Sequence, residues 1–210
     1  MKLYDYAASA NCYKVRLLLA HLGREYERVP VDIFAGDTLT DEFAAMSPAR
    51  TTPVLEDPPG TFLQESNAIL IHLARGTSFL PDDPQVYRWL FYEQADVVPT
   101  MGGLRFRLIT GRLSPDDADA QRRRAASYEV LGLLDAHLAG RDFFVGAAYS
   151  LADIGIYGYV HVAHEAGLDL EPYGSLRAWL ARVQEQPGYM NDLAPYPPSS
   201  HAGASRSIYD

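Results

Sequence analysis

Between Asn11 and Gly23, apolar residues fall at Val15, Leu18, Leu19 and Leu22. That i, i+3, i+4, i+7 spacing lines one face of a helix, and Gly23 is the residue type that ends one. The segment before it, "MKLYDYA", alternates instead: Leu3 and Asp5 point one way, Tyr4 and Tyr6 the other, as in a strand. "YERVPVDI" reads as a second strand, parallel to the first if the three elements form a β-α-β unit. "TPVLED" and "TFLQES" flank "PPG" and read as a hairpin. "SNAILIHLARG" then predicts a helix with Ser66 as N-cap and Gly76 past its end. The order β-α-β, short α, β-β-α is that of a small mixed sheet covered by helices.

The pattern changes after "GTSFLPDDPQ". From there every periodic segment is helical. Val97, Met101, Leu104 and Leu108 form one stripe, with Pro99 inside it as a kink. Ser114, Pro115 and Asp117 have the spacing of a helix start with a capping box, and Leu131, Leu134 and Leu138 continue that helix. Ser150 and Asp153 repeat the capping-box spacing before "IGIYGYVHVAHEAG". Leu176, Trp179, Leu180 and Val183 mark a last helix stopped by "QPG". This divides the chain into an αβ domain at 1–77, a linker at 78–86, an all-helical domain at 87–195 and a Pro/Ser/Gly-rich tail at 196–210 expected to be mobile.

Composition narrows the function. The chain has 210 residues, enough to bury a sizeable core, and a formal net charge of −9. An acidic chain repels nucleic acid. The basic run Arg122–Arg124 follows "PDDADA", so both signs alternate on a solvated helix face. No apolar run approaches a membrane span, and "MKLYDYA" has no secretory signal character. One cysteine excludes an internal disulfide framework and fits a reducing compartment, the cytoplasm by default. His161, His164 and Glu165 have metal-ligand spacing without further ligands in a recognisable motif, so no metal site is expected.

An αβ domain carrying "TPVLED" and then "ESNAI", followed by an all-helical domain, resembles the glutathione transferase superfamily over roughly residues 1 to 190. "WLFYEQADVVP", Arg105–Phe106 and "YGYVHVAHEAG" are similar to the helical domain of a bacterial branch. The resemblance implies a thioredoxin-like N-terminal domain with a mixed four-stranded sheet, an all-α helical-bundle C-terminal domain, and a homodimer. It implies glutathione as co-substrate, a role in detoxification, and a cis peptide at Thr52–Pro53 that offers the backbone of Val54 to the bound tripeptide as an added strand would. Glu65 would hold the α-ammonium of the γ-glutamyl end, while the Ser66 hydroxyl and N–H hold its α-carboxylate. A helix N-terminus suits an anion in any case, and Ser66 as a cap needs no ligand to explain it.

By the same resemblance, Ser9 falls where zeta- and theta-like members keep their catalytic serine. A thiol titrates near pKa ~8.5, so half-ionisation at pH 7 requires about 2 kcal/mol of selective stabilisation. One hydrogen bond to a charged acceptor supplies roughly 1.5–3 kcal/mol and a helix start about 0.3–1. Asn11 either caps the helix or adds a second hydrogen bond to the sulfur. Cys12 is the rival nucleophile, although its position places it on the packed side. Tyr6 is a further candidate, because other classes of the superfamily use a tyrosine near this strand, but its register is one residue off and a core role suits it better. Members of the superfamily typically read "NPxG" and then a basic residue before the cis-proline. Here "SPARTTP" puts Thr51 at the basic position. That leaves Arg50, one residue off, for the glycyl carboxylate, and a displaced guanidinium is not equivalent.

The second substrate, an electrophile, is expected between the domains near Ser9, with Met101, Arg105, Tyr157 and His161 as candidate contacts. A lone histidine on a helix stripe is more often a core residue. Gly102 and Gly103 mark a close approach by a ligand or by a neighbouring subunit's helix. The reading is a glutathione transferase whose glutathione thiolate attacks an electrophilic or peroxide substrate. Its alternatives are glutathione-dependent disulfide or peroxide reduction, and a non-catalytic scaffold or ligand-binding protein that keeps the fold.

Overall fold

A computed structural model describes residues 1–210. The chain forms two compact units, one made of Met1–Leu73 with Met190–Asp210, the other of Ala74–Tyr189.

The first unit carries strands β1 (Lys2–Asp5), β2 (Glu27–Pro30), β3 (Val54–Glu56) and β4 (Phe62–Gln64), in the order β2-β1-β3-β4. β1 and β2 are parallel, with Leu3 opposite Arg28; β3 is antiparallel to both β1 and β4, with Leu55 opposite Leu3 and Leu63. Helices α1 (Ala10–His21), α2 (Asp41–Met46) and α3 (Ser66–Ala74) complete a thioredoxin-like fold. The alternation of β1 sets the two faces. Tyr4 joins Val31, Phe43 of α2 and Val54 in one apolar cluster, while Asp5 reaches Arg16 of α1 on the other side.

Helix α1 is buried on more than the expected stripe. Tyr13, Lys14, Arg16 and Leu17 are as inaccessible as Val15, Leu18 and Leu19. For Tyr13 and Arg16 the reason is the end of the chain. The Tyr13 hydroxyl donates to the Met190 carbonyl at 2.9 Å, and Arg16 Nε donates to Asp192 at 2.8 Å. Expected to be mobile, the tail is instead packed on this unit: Tyr196 meets Tyr6 and Phe34, Ser200 is buried, and the Arg206 N–H donates to the Phe34 carbonyl. Its Pro and Ser residues misled because the contacts are made by aromatic and charged residues spread between them. A second correction concerns Ser66. It is the first helical residue of α3, and Glu65 precedes it, with a carbonyl that accepts the Ile69 N–H.

The second unit contains α4 (Pro84–Tyr92), α5 (Gly103–Ile109), α6 (Ala118–Leu138), α7 (Leu151–Val160) and α8 (Gly174–Gln184). Helix α4 begins inside the stretch expected to be linker, capped by Asp83, whose side chain accepts the Gln85 N–H. Between α4 and α5 the chain is π-helical over Glu93–Gly102, and Pro99, which has no N–H to contribute, lies within that wider turn. Gly102 is close to Tyr159 of α7: a Cβ there would lie 2.6 Å from the ring. At Gly103 a Cβ would meet Arg107 and Arg123. The close approach is therefore made by the unit's own side chains. Ser114–Asp117 forms a turn and not a first helical turn, because the Asp117 carboxylate accepts the Ser114 N–H and α6 starts at Ala118. The Ser150–Asp153 capping box is present. Buried Asp153 also accepts the Phe144 N–H and the Trp179 indole N–H, which ties three segments to one carboxylate.

Candidate active site

The corner where β1 turns into α1 is built by Ser9. Its N–H donates to the Tyr6 carbonyl at 3.0 Å, and its hydroxyl oxygen accepts the Cys12 N–H at 3.3 Å, so it is the N-cap of α1. Ser9 remains partly exposed. One turn in, Asn11 Oδ1 accepts from the Ser66 hydroxyl at 3.2 Å, which joins the starts of α1 and α3. Around that bond lies a cleft of about 110 Å³ lined by Asn11, Thr51, Thr52, Pro53, Glu65 and Ser66. The Thr52–Pro53 peptide is cis, as is Asp57–Pro58. Val54, first residue of β3, is fully buried behind the proline.

Glu65 has φ +70, a left-handed conformation that costs a side-chain-bearing residue about 1–3 kcal/mol and recurs where ligands are clamped. The turn lifts Glu65 into solvent while Ser66 is buried at the start of nine-residue α3. Lys14 adds a feature not anticipated. It is buried on α1, and its Nζ donates to Asn67 Oδ1 at 3.2 Å, one residue beyond Ser66. The signal was present in "CYKVR", where a lysine stands inside an otherwise packed helix. Its partner, 53 residues away, was not visible.

Cys12 lies outside this chemistry. It is fully buried, its sulfur accepts the Tyr6 N–H at 3.4 Å, and it sits beside the Thr52 and Ser9 hydroxyls. Burial, helped by the charge of Asp5, pushes its pKa up to about 11 against the pull of those hydrogen bonds. The thiol is therefore un-ionised and out of reach at neutral pH.

Arg50 requires correction as a glutathione contact. Its guanidinium donates to the Thr38 and Thr40 carbonyls, both at 2.9 Å, and it does not line the cleft. Carbonyls at the entry to α2 hold it there, and Thr51 occupies the wall. The Arg50 backbone, at φ +56, has the conformation glycine would favour. The four candidate contacts of the helical unit are corrected as well. Met101, Arg105 and Tyr157 are buried. Arg105 Nε donates to Glu165 at 2.6 Å, Tyr157 shares a 2.8 Å hydrogen bond with Tyr189, and His161 stacks on Tyr157 with Nδ1 at 2.6 Å from its carbonyl. Apolar surroundings push the His161 pKa down to about 4. These side chains pack and brace the bundle.

A thioredoxin-like unit that brings a cis-proline, an acid-serine turn and the start of its first helix to one cleft, followed by an all-helical unit, defines a two-domain class of protein. Known proteins specify it. The family described as "Glutathione S-transferase, N-terminal domain" matches residues 3–77, and "Glutathione S-transferase, C-terminal domain" matches residues 89–187. The crystal structure of a glutathione S-transferase from Pseudomonas fluorescens is 40% identical with a TM-score of 0.88, covering 92% of this chain and 98% of that one. "Glutathione S-transferase 3" of Zea mays is 28% identical over 96% of this chain and 99% of its own length. A glutathione transferase from Pseudomonas putida, solved with one glutathione disulfide bound per subunit, is 29% identical with a TM-score of 0.80, covering 91% of this chain and 90% of that one. The chain belongs to the glutathione transferase superfamily.

Proposed function

We propose that this protein is a glutathione transferase in which Ser9 stabilises the glutathione thiolate for attack on a small electrophile. The observation that carries the reading is the Ser66–Asn11 hydrogen bond beside cis-Pro53 and Glu65 in one cleft, with Ser9 capping the same helix that presents Asn11. Glutathione is a zwitterion at its γ-glutamyl end. Its α-carboxylate suits the Ser66 hydroxyl at the start of α3, where free N–H groups and the helix dipole favour an anion. Its α-ammonium suits exposed Glu65, and its cysteinyl part suits the cleft wall at Thr52 and cis-Pro53, in front of buried Val54.

The sulfur then reaches Ser9. The serine hydroxyl, whose oxygen already accepts from the Cys12 N–H, keeps its proton free to donate to a sulfur anion. A hydrogen bond to a charged acceptor is worth about 1.5–3 kcal/mol, enough to move a thiol from pKa ~8.5 to near 7. With Thr51 in the cleft and Arg50 tied to carbonyls, no cation is placed for the glycyl carboxylate. The protein works as a cytoplasmic homodimer in detoxification.

The test is titration of the purified protein with glutathione by calorimetry, with thiolate formation followed by ultraviolet absorbance. Wild type binds saturably, and the bound thiol has a lowered pKa. Ser9→Ala raises that pKa by about one to two units while the affinity changes little. An unchanged thiol pKa in Ser9→Ala would remove Ser9 from the mechanism.

A second reading has one observation in its favour, the glutathione disulfide in the P. putida relative. Disulfide reduction here would run through glutathione itself, since Cys12 is sealed. One thiolate attacks the disulfide, and a second glutathione resolves the mixed product to glutathione disulfide. Turnover of a small disulfide, compared with conjugation of an electrophile, separates the two.

A further inference from the structure

The cleft at the starts of α1 and α3 is small, and the charge in its walls is of one sign. At about 110 Å³ it is well below the roughly 300–1,000 Å³ of sites that enclose a whole ligand, so it grips one end of a peptide. Among the residues that line it, Glu65 is the one charged side chain, and the rest are uncharged. The γ-glutamyl end suits Glu65 and Ser66, and the cysteinyl part suits Thr52 and cis-Pro53. The wall left for the third residue is Thr51.

Thr51 has little to offer a carboxylate. Its N–H donates to the Ser47 hydroxyl at 3.3 Å, and that hydroxyl donates to the Thr51 carbonyl at 3.1 Å. Ser47 is wholly buried, so both backbone groups of Thr51 are committed within the protein. The neighbouring cation, Arg50, is engaged three times over. Its guanidinium donates to the Thr38 and Thr40 carbonyls, both at 2.9 Å, and lies 3.9 Å from the Asp41 carboxylate. Thr40 is itself fixed as the N-cap of α2, where its hydroxyl oxygen accepts the Phe43 N–H. Swinging Arg50 toward the cleft would strip a donor from the carbonyl of buried Thr38 and separate the cation from Asp41.

We propose that this site reads only the γ-glutamyl-cysteinyl part of its thiol, and so accepts glutathione capped at the glycyl carboxylate, as an ester or amide, at least as well as glutathione. The inference rests on the reading of the cleft as the glutathione site. Charge sets its direction. Glutathione at neutral pH carries two carboxylates and one ammonium, an excess of one negative charge. A cap on the glycyl carboxylate removes that excess and leaves the γ-glutamyl zwitterion, which Glu65 and Ser66 match sign for sign. The Glu65 carboxylate in the cleft and the chain's formal net charge of −9 oppose the free glycyl carboxylate and not the capped one. The cap leaves the cysteinyl thiol unaltered, so Ser9 meets the same sulfur in both ligands.

The experiment titrates the full chain by calorimetry with three ligands: glutathione, its glycyl monoethyl ester, and cysteinylglycine, which lacks the γ-glutamyl end. Wild type binds the ester within about threefold of glutathione, or tighter, and binds cysteinylglycine about tenfold more weakly or worse. Thr51→Arg, with folding checked by circular dichroism, gains a preference of about tenfold for glutathione over the ester, because a charge-assisted bond then reads the carboxylate. A larger preference for glutathione in the wild type overturns the proposal and leaves the glutathione reading standing; that comparison needs no variant. A folded Thr51→Arg that gains no preference also overturns it, since the glycyl end would lie elsewhere. Uptake of the ester but not of glutathione sustains the proposal and removes glutathione itself as co-substrate. Binding of neither overturns both.

Discussion

Ser9 and Cys12 stand three residues apart in the first turn of α1, and burial alone gives them opposite roles. Ser9 is partly exposed and caps the helix; the thiol faces the core with its pKa pushed up to about 11. At pH 8 only about one molecule in a thousand would carry a thiolate there. Iodoacetamide should therefore label Cys12 very slowly in the folded protein and rapidly in urea, as read by mass spectrometry. Fast labelling of the native state would return Cys12 to consideration as a nucleophile. This contrast was legible in "SANCYKVR", because a cysteine past the cap of an amphipathic helix falls on its packed side. The burial of Lys14 and Arg16 in the same segment was not. Each is buried because of a partner remote in sequence, Asn67 for the lysine and Asp192, 176 residues away, for the arginine. Arg50 misled for a related reason. Sequence places a cation near the cleft, but the two carbonyls that hold it elsewhere come together only in the folded chain.

Buried Asp153 and partly buried His161, at the two ends of α7, have opposing effects on stability. At its start, burial raises Asp153 to about 6, against four donors that favour the carboxylate. A raised folded pKa means that this group's contribution is full below about 3.8 and is lost as pH rises through 6. At its end, His161 is lowered to about 4, mainly by burial, with Arg105, Glu165 and His164 nearby. A depressed folded pKa means the reverse: its contribution is full above 6.5 and is lost as pH falls toward 4. Between pH 7 and 4.5 the histidine removes about 2–3 kcal/mol of stability and the aspartate returns about 2. The wild-type chain should thus vary little over that window through these two groups. His161→Gln should gain stability on acidification relative to wild type, measured by urea unfolding at the two pH values. Parallel pH curves for the two proteins would show that His161 titrates alike in the folded and unfolded chain, against the depressed pKa. The capping box of this helix was readable from Ser150 and Asp153, because its geometry is set within four residues. The added bonds to Phe144 and Trp179 were not, since they depend on which segments meet. The same limit explains α6. Ser114 and Asp117 have cap spacing, yet they close a turn of their own.

Across the whole chain, the largest departure from expectation is the return of residues 190–210 to the N-terminal unit. Four charged groups explain how a Pro/Ser/Gly-rich end is held. Arg16, wholly buried, bridges Asp5 and Asp192; Arg28 reaches the other oxygen of Asp5 and lies 3.5 Å from Asp192. Breaking such a network leaves a buried cation short of a partner, which costs more than a surface ion pair is worth. Asp192 is itself partly open to water, so the loss is smaller than for a fully enclosed pair. Asp192→Asn keeps the shape and removes the charge, and it should cost about 1–2 kcal/mol in urea unfolding. The same variant should speed proteolytic clipping after Met190, because the loosened end exposes backbone that is now bonded to Ala7 and Phe34. If clipping stays at the wild-type level while stability falls, the network anchors α1 alone, and the chain end is held by the ring contacts of Tyr196 and its backbone bonds to Ala7 and Phe34.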